Sequence, residues 1–450
     1  MKRSNLERFT QRVLICGALL CMAPAGRLEA FEPVKLVDVV AMAVNNSPDV
    51  NAKYHEIRDY EEQGKAASGG YLPQVKASAQ AGRQGYWVEG TTPNKYVWNK
   101  SLRLELSQML FDGFGTRNQV RSLKSAEKAK YFEFLDAVEN VAYESARAYS
   151  DVLRYRELAT LSEHNIWHHK GIYAQIKSRV NAGVSGSADL EQVGSRLNLA
   201  RSQHLTELNN LREASLRYKR FTGVEPASAL QIEMVPDRNI PAYESDALKE
   251  AYEHNPAYLA AEENVVGAEK QVNVQRSRFY PKLELKAIHE TAWDTNGING
   301  QLNNNQIAVA LSYNIFSGGT DAATVREYKE RMYRTKDLRE TSERVVRQNL
   351  FQAISTRQTT NGQIGYLDSQ RKNLDKVRLA YREQFNIGKR TLLDLLDSES
   401  EYYLSQRNYY NAFFDLSIAN AKILSSMGKL LSTLDIVSDK DSSLSNNRYH

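Results

Sequence analysis

A short charged segment at residues 385–397 has the residue types and spacing of a helical hairpin tip. Gly388 can adopt a positive φ and end one helix, and Thr391 can cap the next one. Asp394 and Asp397 then lie three residues apart on one face of the new helix, near its N-terminus, where the helix dipole favours negative charge. The segment therefore predicts the tip of two long antiparallel helices, with two carboxylates in the first turns of the second helix.

The same arrangement occurs further upstream. Asp189 follows Gly183 by six residues, just as Asp394 follows Gly388. We therefore interpret both glycines as the turns of helical-hairpin tips.

No segment of the chain matches the common catalytic or phosphate-binding motifs. The Gly-Phe-Gly segment at 113–115 lacks the third glycine of a dinucleotide-binding loop, and the 388–390 segment lacks the upstream glycine and the hydroxyl of a phosphate-binding loop. His164 and His168 have the i, i+4 spacing of a helical metal site, but no third ligand follows at a suitable spacing, which favours a hydrated helix face. We therefore predict a protein that is not an enzyme, with no catalytic residues and no cofactor or metal.

A repeat that spans the chain positions the two tips. Near the start of each half, Asn46-Ser47-Pro48 matches His254-Asn255-Pro256 at an offset of 208 residues, from Pro48 to Pro256. Further on, F-D-G at 111–113 matches F-S-G at 316–318 at an offset of 205 residues, which the two tips share. The sequence therefore predicts a signal peptide at 1–30, a first structural repeat at 31–240 with its tip near 183–189, a second repeat at 241–438 with its tip near 388–394, and a disordered tail at 439–450.

The N-terminus and the composition indicate an exported protein. Residues 1–30 begin with basic side chains, continue with an apolar stretch at 13–25 and end in a small-residue cleavage site. Both cysteines, Cys16 and Cys21, lie in this segment, so the mature chain needs no disulfide; lipidation of Cys21 stays open as an alternative. Charged residues make up 25% of the chain, which does not fit a helical membrane protein. The predicted signal peptide carries +3 of the net charge of +5, and the about +2 that remains implies no strong attraction to nucleic acid.

Two pairs of segments show the period-2 alternation of β-strands. Apolar residues recur at every second position from Val75 onward and at 101–110, and again from Leu283 onward and at 307–315. The segments between the members of each pair are predicted as loops, at 82–100 and 294–305. One face of each strand is apolar and the other is polar or small, which suits a barrel in lipid with a wet lumen; a soluble sheet packed on helices is the alternative.

Four such strands cannot close a barrel, and open strand edges cannot stand in hydrocarbon. Three chains that share their strands would supply twelve, a number within the known range of membrane barrels. Aromatic residues at the predicted strand ends, such as Trp98 and Trp293, favour a girdle at the membrane interface over a carbohydrate site.

Long helices lead to both tips. Proline is absent from 114–180 and from 320–387, so each stretch predicts a helix of roughly 100 Å at 1.5 Å per residue. Return helices are predicted at 189–221 and 392–427. Small and apolar residues with the 3–4 spacing of a coiled coil form a seam in the first long helix, at Leu135, Val138, Ala142, Ser145, Tyr149 and Val152.

Together these features resemble the TolC-type outer-membrane channels of Gram-negative bacteria. The resemblance covers nearly all of the mature chain, and its most specific part is the second tip, G-K-R-T-L-L-D-L-L-D-S-E at 388–399. It implies an α+β protein with a duplicated TolC-like fold: a trimeric 12-stranded outer-membrane β-barrel, with four strands per chain, continuous with a long periplasmic α-helical coiled-coil barrel. It also implies a passive channel of the cell outer membrane, gated at its periplasmic tips.

Within that family, the 395–399 segment and the F-D-G-F-G turn at 111–115 look most like the exit ducts of type I protein secretion systems, particularly those that export adhesins. The partners implied are two further copies of the chain, outer-membrane lipid, a periplasmic adaptor and an inner-membrane ABC transporter, with no nucleic acid. An efflux duct serving an RND or ABC pump shares the architecture and stays open. A periplasmic adaptor or structural coiled-coil protein would lack the paired amphipathic strands.

The resemblance also implies how the tips close. In the family, an arginine of the second tip bonds to the aspartate of the neighbouring first tip, and these correspond here to Arg390 and Asp189. In the family, a hydrogen bond between a tyrosine and a threonine supports this pair. The matching residues here are Phe385 and Ala188, which have no hydroxyl, so the gate of this chain lacks that bond.

The family's aspartate rings at the tunnel entrance correspond to Asp394 and Asp397. An alternative for Asp189 and Asp394 is that each merely favours the N-terminus of its helix.

Overall fold

The computed structural model of the chain describes residues 33–86, 95–295, 298–441 and 444. The predicted signal peptide at 1–30, with Cys16 and Cys21, lies outside the described residues. Within the described part, no helix combines the length and the apolar character that crossing a membrane requires.

Helices and strands follow the same order in both halves of the chain. The first half contains α1 (Leu36–Asn46), α2 (Pro48–Ser68), β1 (Gln74–Tyr86), β2 (Lys95–Phe111), α3 (Gly115–Asn181) and α4 (Ser187–Thr222). The second contains α5 (Glu244–His254), α6 (Pro256–Arg276), β3 (Lys282–Thr295), β4 (Ile298–Ser312), α7 (Thr320–Asn386) and α8 (Leu392–Ser426), followed by the short α9 (Leu430–Thr433). The long helices α3 and α7 contain 67 residues each. The duplicated fold predicted from the sequence is confirmed.

The repeated N-S-P and H-N-P segments are helix starts. The Ser47 hydroxyl accepts a hydrogen bond from the backbone N–H of Val50 (3.4 Å), and the Asn255 side chain accepts one from that of Tyr258 (3.0 Å). In each case proline is the first residue of the helix, where its missing N–H leaves no hydrogen bond unmade. The two segments therefore separate α1 from α2 and α5 from α6.

The strands form one antiparallel sheet in the order β1-β2-β3-β4. Its register aligns the apolar residues of all four strands on one face, because Val75 lies opposite Leu106, Leu106 opposite Ala287, and Ala287 opposite Ile307. This face is solvent-exposed in the single chain, and Ile307 is 81% exposed. On the opposite face, Arg103 lies 3.2 Å from Glu105 and 3.6 Å from Glu290. The predicted division into an apolar face and a polar face is present in the sheet.

Both predicted strand loops were too long. The first hairpin is paired up to Tyr86 and from Lys95 onward, and the second up to Thr295 and from Ile298 onward, so only 87–94 and 296–297 lie outside the described residues. The period-2 apolar signal fades in these segments, but backbone pairing does not require it. Polar side chains pair across the strands instead, as the bonds from His289 to Asn305 (2.6 Å) and from Thr291 to Asn303 (3.0 Å) show.

The main hydrophobic core lies around the middle of α3, where α1, α4 and α8 pack on it. Tyr149 is fully buried there, and its hydroxyl lies 3.0 Å from the carbonyl of Val34 and contacts that of Gln231. The predicted seam residues of α3 contribute to this core. They therefore pack against elements of both halves of the chain as well as against the return helix.

The described residues of the predicted disordered tail, 439–441 and 444, are helical. Leu444 is buried in the main core, and the Tyr131 hydroxyl donates to Asp441 (2.9 Å). This burial of a leucine, which the polar composition of the tail conceals, orders this part of the segment. The rest of the tail lies outside the described residues.

Gly223 and Gly428, equivalent residues of the two repeats, provide a matched test of packing within the second half of the chain. Both have positive φ, 80° and 68°, but a Cβ on Gly428 would lie 2.5 Å from the carbonyl oxygen of His254, whereas a Cβ on Gly223 would meet nothing within 4 Å. We expect Gly223→Ala to lower the free energy of unfolding by about 1 kcal/mol, from backbone strain alone. We expect Gly428→Ala to lower it by roughly 3 kcal/mol or more, because the carbonyl must also move.

The measurement is the thermal unfolding of both variants in detergent, followed by circular dichroism. Equal losses in the two variants would contradict the close approach of the turn after α8 to the end of α5.

Candidate functional site

The two hairpin tips have the same backbone geometry. Gly183 and Gly388 have φ of 72° and 78° and follow the ends of α3 and α7. The next residue in each case returns a hydrogen bond to the last helical turn, from Val184 N to Arg179 O and from Lys389 N to Gln384 O, both 2.8 Å. This pattern ends a helix with satisfied carbonyls and requires a residue that tolerates positive φ. It places α4 and α8 antiparallel to the helices they follow.

Asp394 caps the start of α8. The hydroxyl of Thr391 donates to its carboxylate (2.8 Å), the Thr391 N–H does so at 3.1 Å, and the Asp394 N–H returns a bond to the Thr391 hydroxyl (3.2 Å). These bonds from Thr391, with the charge of Arg390 as a smaller cause, hold the pKa of Asp394 below its ordinary value. Within one chain Asp394 therefore serves as a helix cap, and it stays ionised as a ring of charge would require.

Asp397 links the two hairpins of the chain. Its carboxylate accepts a hydrogen bond from Arg196 of α4 at 3.0 Å. Both side chains are partly exposed, so the pair is accessible to water and salt. Part of the negative charge predicted for the entrance is therefore balanced within the chain.

Arg390 is held by its own hairpin. Its guanidinium lies 4.1 Å from the centre of the Tyr381 ring, donates to Gln384 (3.1 Å) and is 3.9 Å from Asp394. The carboxylate of Asp189 makes no hydrogen bond or ion pair with any other described residue. The Arg390–Asp189 contact is thus not formed within one chain, and as a contact between chains it stays a prediction.

Phe385 belongs to a small core behind the tips. It is 5% exposed and packs with Ile176 of α3 and Leu395 of α8 in one apolar cluster. The guanidinium of Arg179 lies over its ring at 4.6 Å. From the sequence, Phe385 was described only as a phenylalanine without the hydroxyl of the family's tyrosine. In the structure its ring joins the two hairpins by apolar contact.

Sequence reasoning missed further ties between the hairpins. Gln175 of α3 donates to Asn386 of α7 (2.9 Å), and Arg382 of α7 donates to His168 of α3 (3.1 Å). The i, i+4 spacing of Arg378 and Arg382 indicates a charged face of α7, and this was the one sequence signal for these contacts. No local pattern identifies the residues that these arginines contact.

Metal-ligand side chains come together at one exposed place among the described residues. Glu250, Glu253 and His254 hold their ligand atoms within 4.8 Å of one another, at the end of α5. Glu250 also contacts Lys429, and the group is partly or fully exposed. This arrangement is typical of a solvated charged surface.

Comparison with known proteins identifies the family. A family model described as outer membrane efflux protein matches residues 39–224 and 247–429, one copy in each half of the chain. The outer membrane efflux protein BepC of Brucella suis is 24% identical over 425 residues, which cover 93% of this chain and 90% of BepC. The alkaline protease secretion protein AprF of Pseudomonas aeruginosa is 25% identical over 439 residues, which cover 90% of this chain and 86% of AprF.

The fold has solved counterparts. The crystal structure of the Campylobacter jejuni CmeC outer membrane channel superimposes with a TM-score of 0.81 and 18% identity, covering 91% of this chain and 88% of CmeC. A duplicated chain with two long hairpins and one amphipathic sheet thus defines a class of outer-membrane channels rather than of enzymes. The chain belongs to the outer membrane efflux protein family. This confirms the resemblance to TolC-type channels and the predicted location in the outer membrane.

Proposed function

We propose that three copies of this chain form one channel, with a twelve-stranded barrel in the outer membrane and a helical tunnel in the periplasm. The observation that carries this proposal is the four-stranded sheet, whose apolar face is exposed and whose edge strands, β1 and β4, have only one partner each among the described residues. An open edge in hydrocarbon leaves backbone groups without hydrogen bonds. Pairing the β4 edge of one copy with the β1 edge of the next satisfies both edges in a closed ring.

We propose further that the channel is the exit duct of a type I protein secretion system, working with a periplasmic adaptor and an inner-membrane ABC transporter. The relative AprF is named for the secretion of a protein, and the L-L-D-S-E segment at 395–399 of this chain supports the same assignment. The second candidate is a duct for an efflux pump of RND or ABC type, which the name of BepC favours.

Deleting the gene and restoring it on a plasmid tests this function. A secretion duct should leave a large protein missing from the culture medium of the deletion strain, with drug sensitivity unchanged and secretion returning on complementation. A drug-sensitive strain with an unchanged medium would instead support the efflux duct. The purified protein should be a trimer by light scattering in detergent, and a functional monomer would contradict the shared barrel.

The gate is proposed to close through Arg390 and the Asp189 of a neighbouring copy. A partly exposed pair contributes about 0–1 kcal/mol, and three symmetry-related pairs act on the same opening. Together, roughly 1–3 kcal/mol would change the open population by about ten- to a hundredfold. Asp189→Ala and Arg390→Ala should therefore each raise single-channel conductance, and the double variant should add little.

Lys389→Ala is the matched control for Arg390→Ala, since it removes the same charge from the next exposed position. The Asp189 variant matters most, because Arg390 also has contacts in its own hairpin. Unchanged conductance in both single variants, at normal trimer levels, would show that this pair does not hold the gate.

The entrance is proposed to prefer cations, because Asp394 and Asp397 of three copies would place six carboxylates around it. Asp394→Asn with Asp397→Asn should reduce the cation preference and the block by multivalent cations, while asparagine can still cap α8. Arg196→Gln should have the opposite effect, since it frees Asp397 from its 3.0 Å partner. Reversal potentials in a KCl gradient give the measurement, and a parent channel without cation preference would refute the ring.

A further inference from the structure

A partly buried charge bridge joins three helices behind the tips. Arg382 of α7 lies 2.5 Å from Glu399 of α8 and donates to Nδ1 of His168 of α3 at 3.1 Å. Glu399 is 2% exposed, so its ionised form depends on its arginine partners. We propose that this Arg382 bridge is an acid-sensitive latch that holds the second hairpin against the first, and that protonation of His168 releases it. The inference rests on the proposed channel function, to whose closed state it assigns a proton trigger.

Arg382 is well placed to hold the hairpins together. Its contact with Glu399 stays within the second hairpin, whereas its contact with His168 crosses to the first. Because the buried carboxylate of Glu399 fixes one side of the guanidinium, the group is oriented before it meets the imidazole. The hydrogen bond that crosses between the hairpins therefore depends on one acceptor, Nδ1 of His168.

That nitrogen is a hydrogen-bond acceptor only in the neutral ring. Since Arg382 donates to Nδ1, the single proton of neutral His168 belongs on Nε2. A second proton would bind at Nδ1 and replace the acceptor by a donor that faces the guanidinium. The crossing hydrogen bond would be lost, and two cations would lie about 3 Å apart.

Among the described residues, the charged groups that act on His168 include no free carboxylate that could compensate for its protonation. From α7, both Arg378 and Arg382 face His168, and from its own helix His164 and His169 lie nearby. On α8, the carboxylate that contacts these arginines is that of Glu399, which is already shared between Arg378 and Arg382.

Neighbouring carboxylates are paired as well. Asp375 binds Arg378 at 2.6 Å, and Asp397 binds Arg196, the α4 arginine that acts on His169. A proton on His168 would therefore add positive charge to an arginine-rich region whose carboxylates already have partners.

The pH range of the latch follows from the environment of the ring. Burial, with Arg382 and Arg378 adding to it, lowers the pKa of His168 to about 4. In a released hairpin the imidazole would return to its ordinary pKa of about 6.5. Above that pH neither state is protonated and the latch is at full strength. As pH falls below about 6.5 the released state takes up the proton first, and the loss is complete near the latched pKa.

Between pH 7.5 and pH 5.5, the ratio of latched to released chains should fall about tenfold per chain. Spin labels on Lys177→Cys of α3 and Ile387→Cys at the end of α7, both exposed and outside the bridge, report the separation of the hairpins. The chain's own cysteines, Cys16 and Cys21, lie in the predicted signal peptide. The population with a longer distance between labels should rise about tenfold on acidification.

Three histidine variants separate the latch from general acid effects. His168→Gln should stay latched and lose the response, because its amide oxygen accepts from Arg382 and does not titrate. His164→Gln, an exposed histidine one turn away, should respond like the parent. His169→Gln, a buried neighbour that is not bonded to Arg382, should also respond.

An unchanged distance distribution in the parent between pH 7.5 and pH 5.5 would overturn the latch, and so would an undiminished response in His168→Gln. Planar-bilayer recordings of the same proteins keep this result apart from the proposed function. A chain that conducts but whose distances ignore pH refutes the latch alone. A chain whose distances respond but which never conducts refutes the channel alone.

Discussion

The unpaired edges of the four-stranded sheet are the constraint on which the rest of the molecule depends. Strands β1 and β4 each present a row of backbone groups with no partner among the described residues, beside an apolar face that water does not favour. Neither problem has a solution inside one chain. A ring of three copies in lipid solves both, and it also brings six helical hairpins into one wall.

In the proposed trimer, the tips would belong to the part of this wall that is easiest to open. The core around Tyr149 in the middle of α3 is extensive, whereas the cluster around Phe385 is small. Besides the Phe385 cluster, the hairpins are joined near the tips by polar and charged contacts such as Arg196–Asp397. Water and salt weaken such contacts. Regions with few buried apolar contacts open at the lowest free energy. A gate at this end can therefore move while the main core stays intact.

Much of the fold follows from local patterns in the sequence. The alternation in the strands and the helix starts at Pro48 and Pro256 depend on residues a few positions apart. The internal repeat shows in the recurrence of such local patterns 205 to 208 residues further along the chain. The extent of the strands was the main error, because the apolar alternation is interrupted towards the ends of both hairpins, by Lys100 in β2 and by the asparagines at 303–305 in β4, while backbone pairing continues through them. The helical start of the tail was missed because one buried leucine, Leu444, outweighs its polar neighbours.

At the site, the sequence by itself determined the tip turns and the cap, since Gly388 and the Thr391–Asp394 pair act through bonds to residues within a few positions. Only the tertiary structure decided which charges meet across the hairpins. Arg382 and His168 are 214 residues apart, and nothing in the residues around either one identifies the other. A charged side chain on a long helix can face solvent or any neighbouring helix. Its partner is fixed by how the helices pack, which depends on the summed burial of many apolar residues.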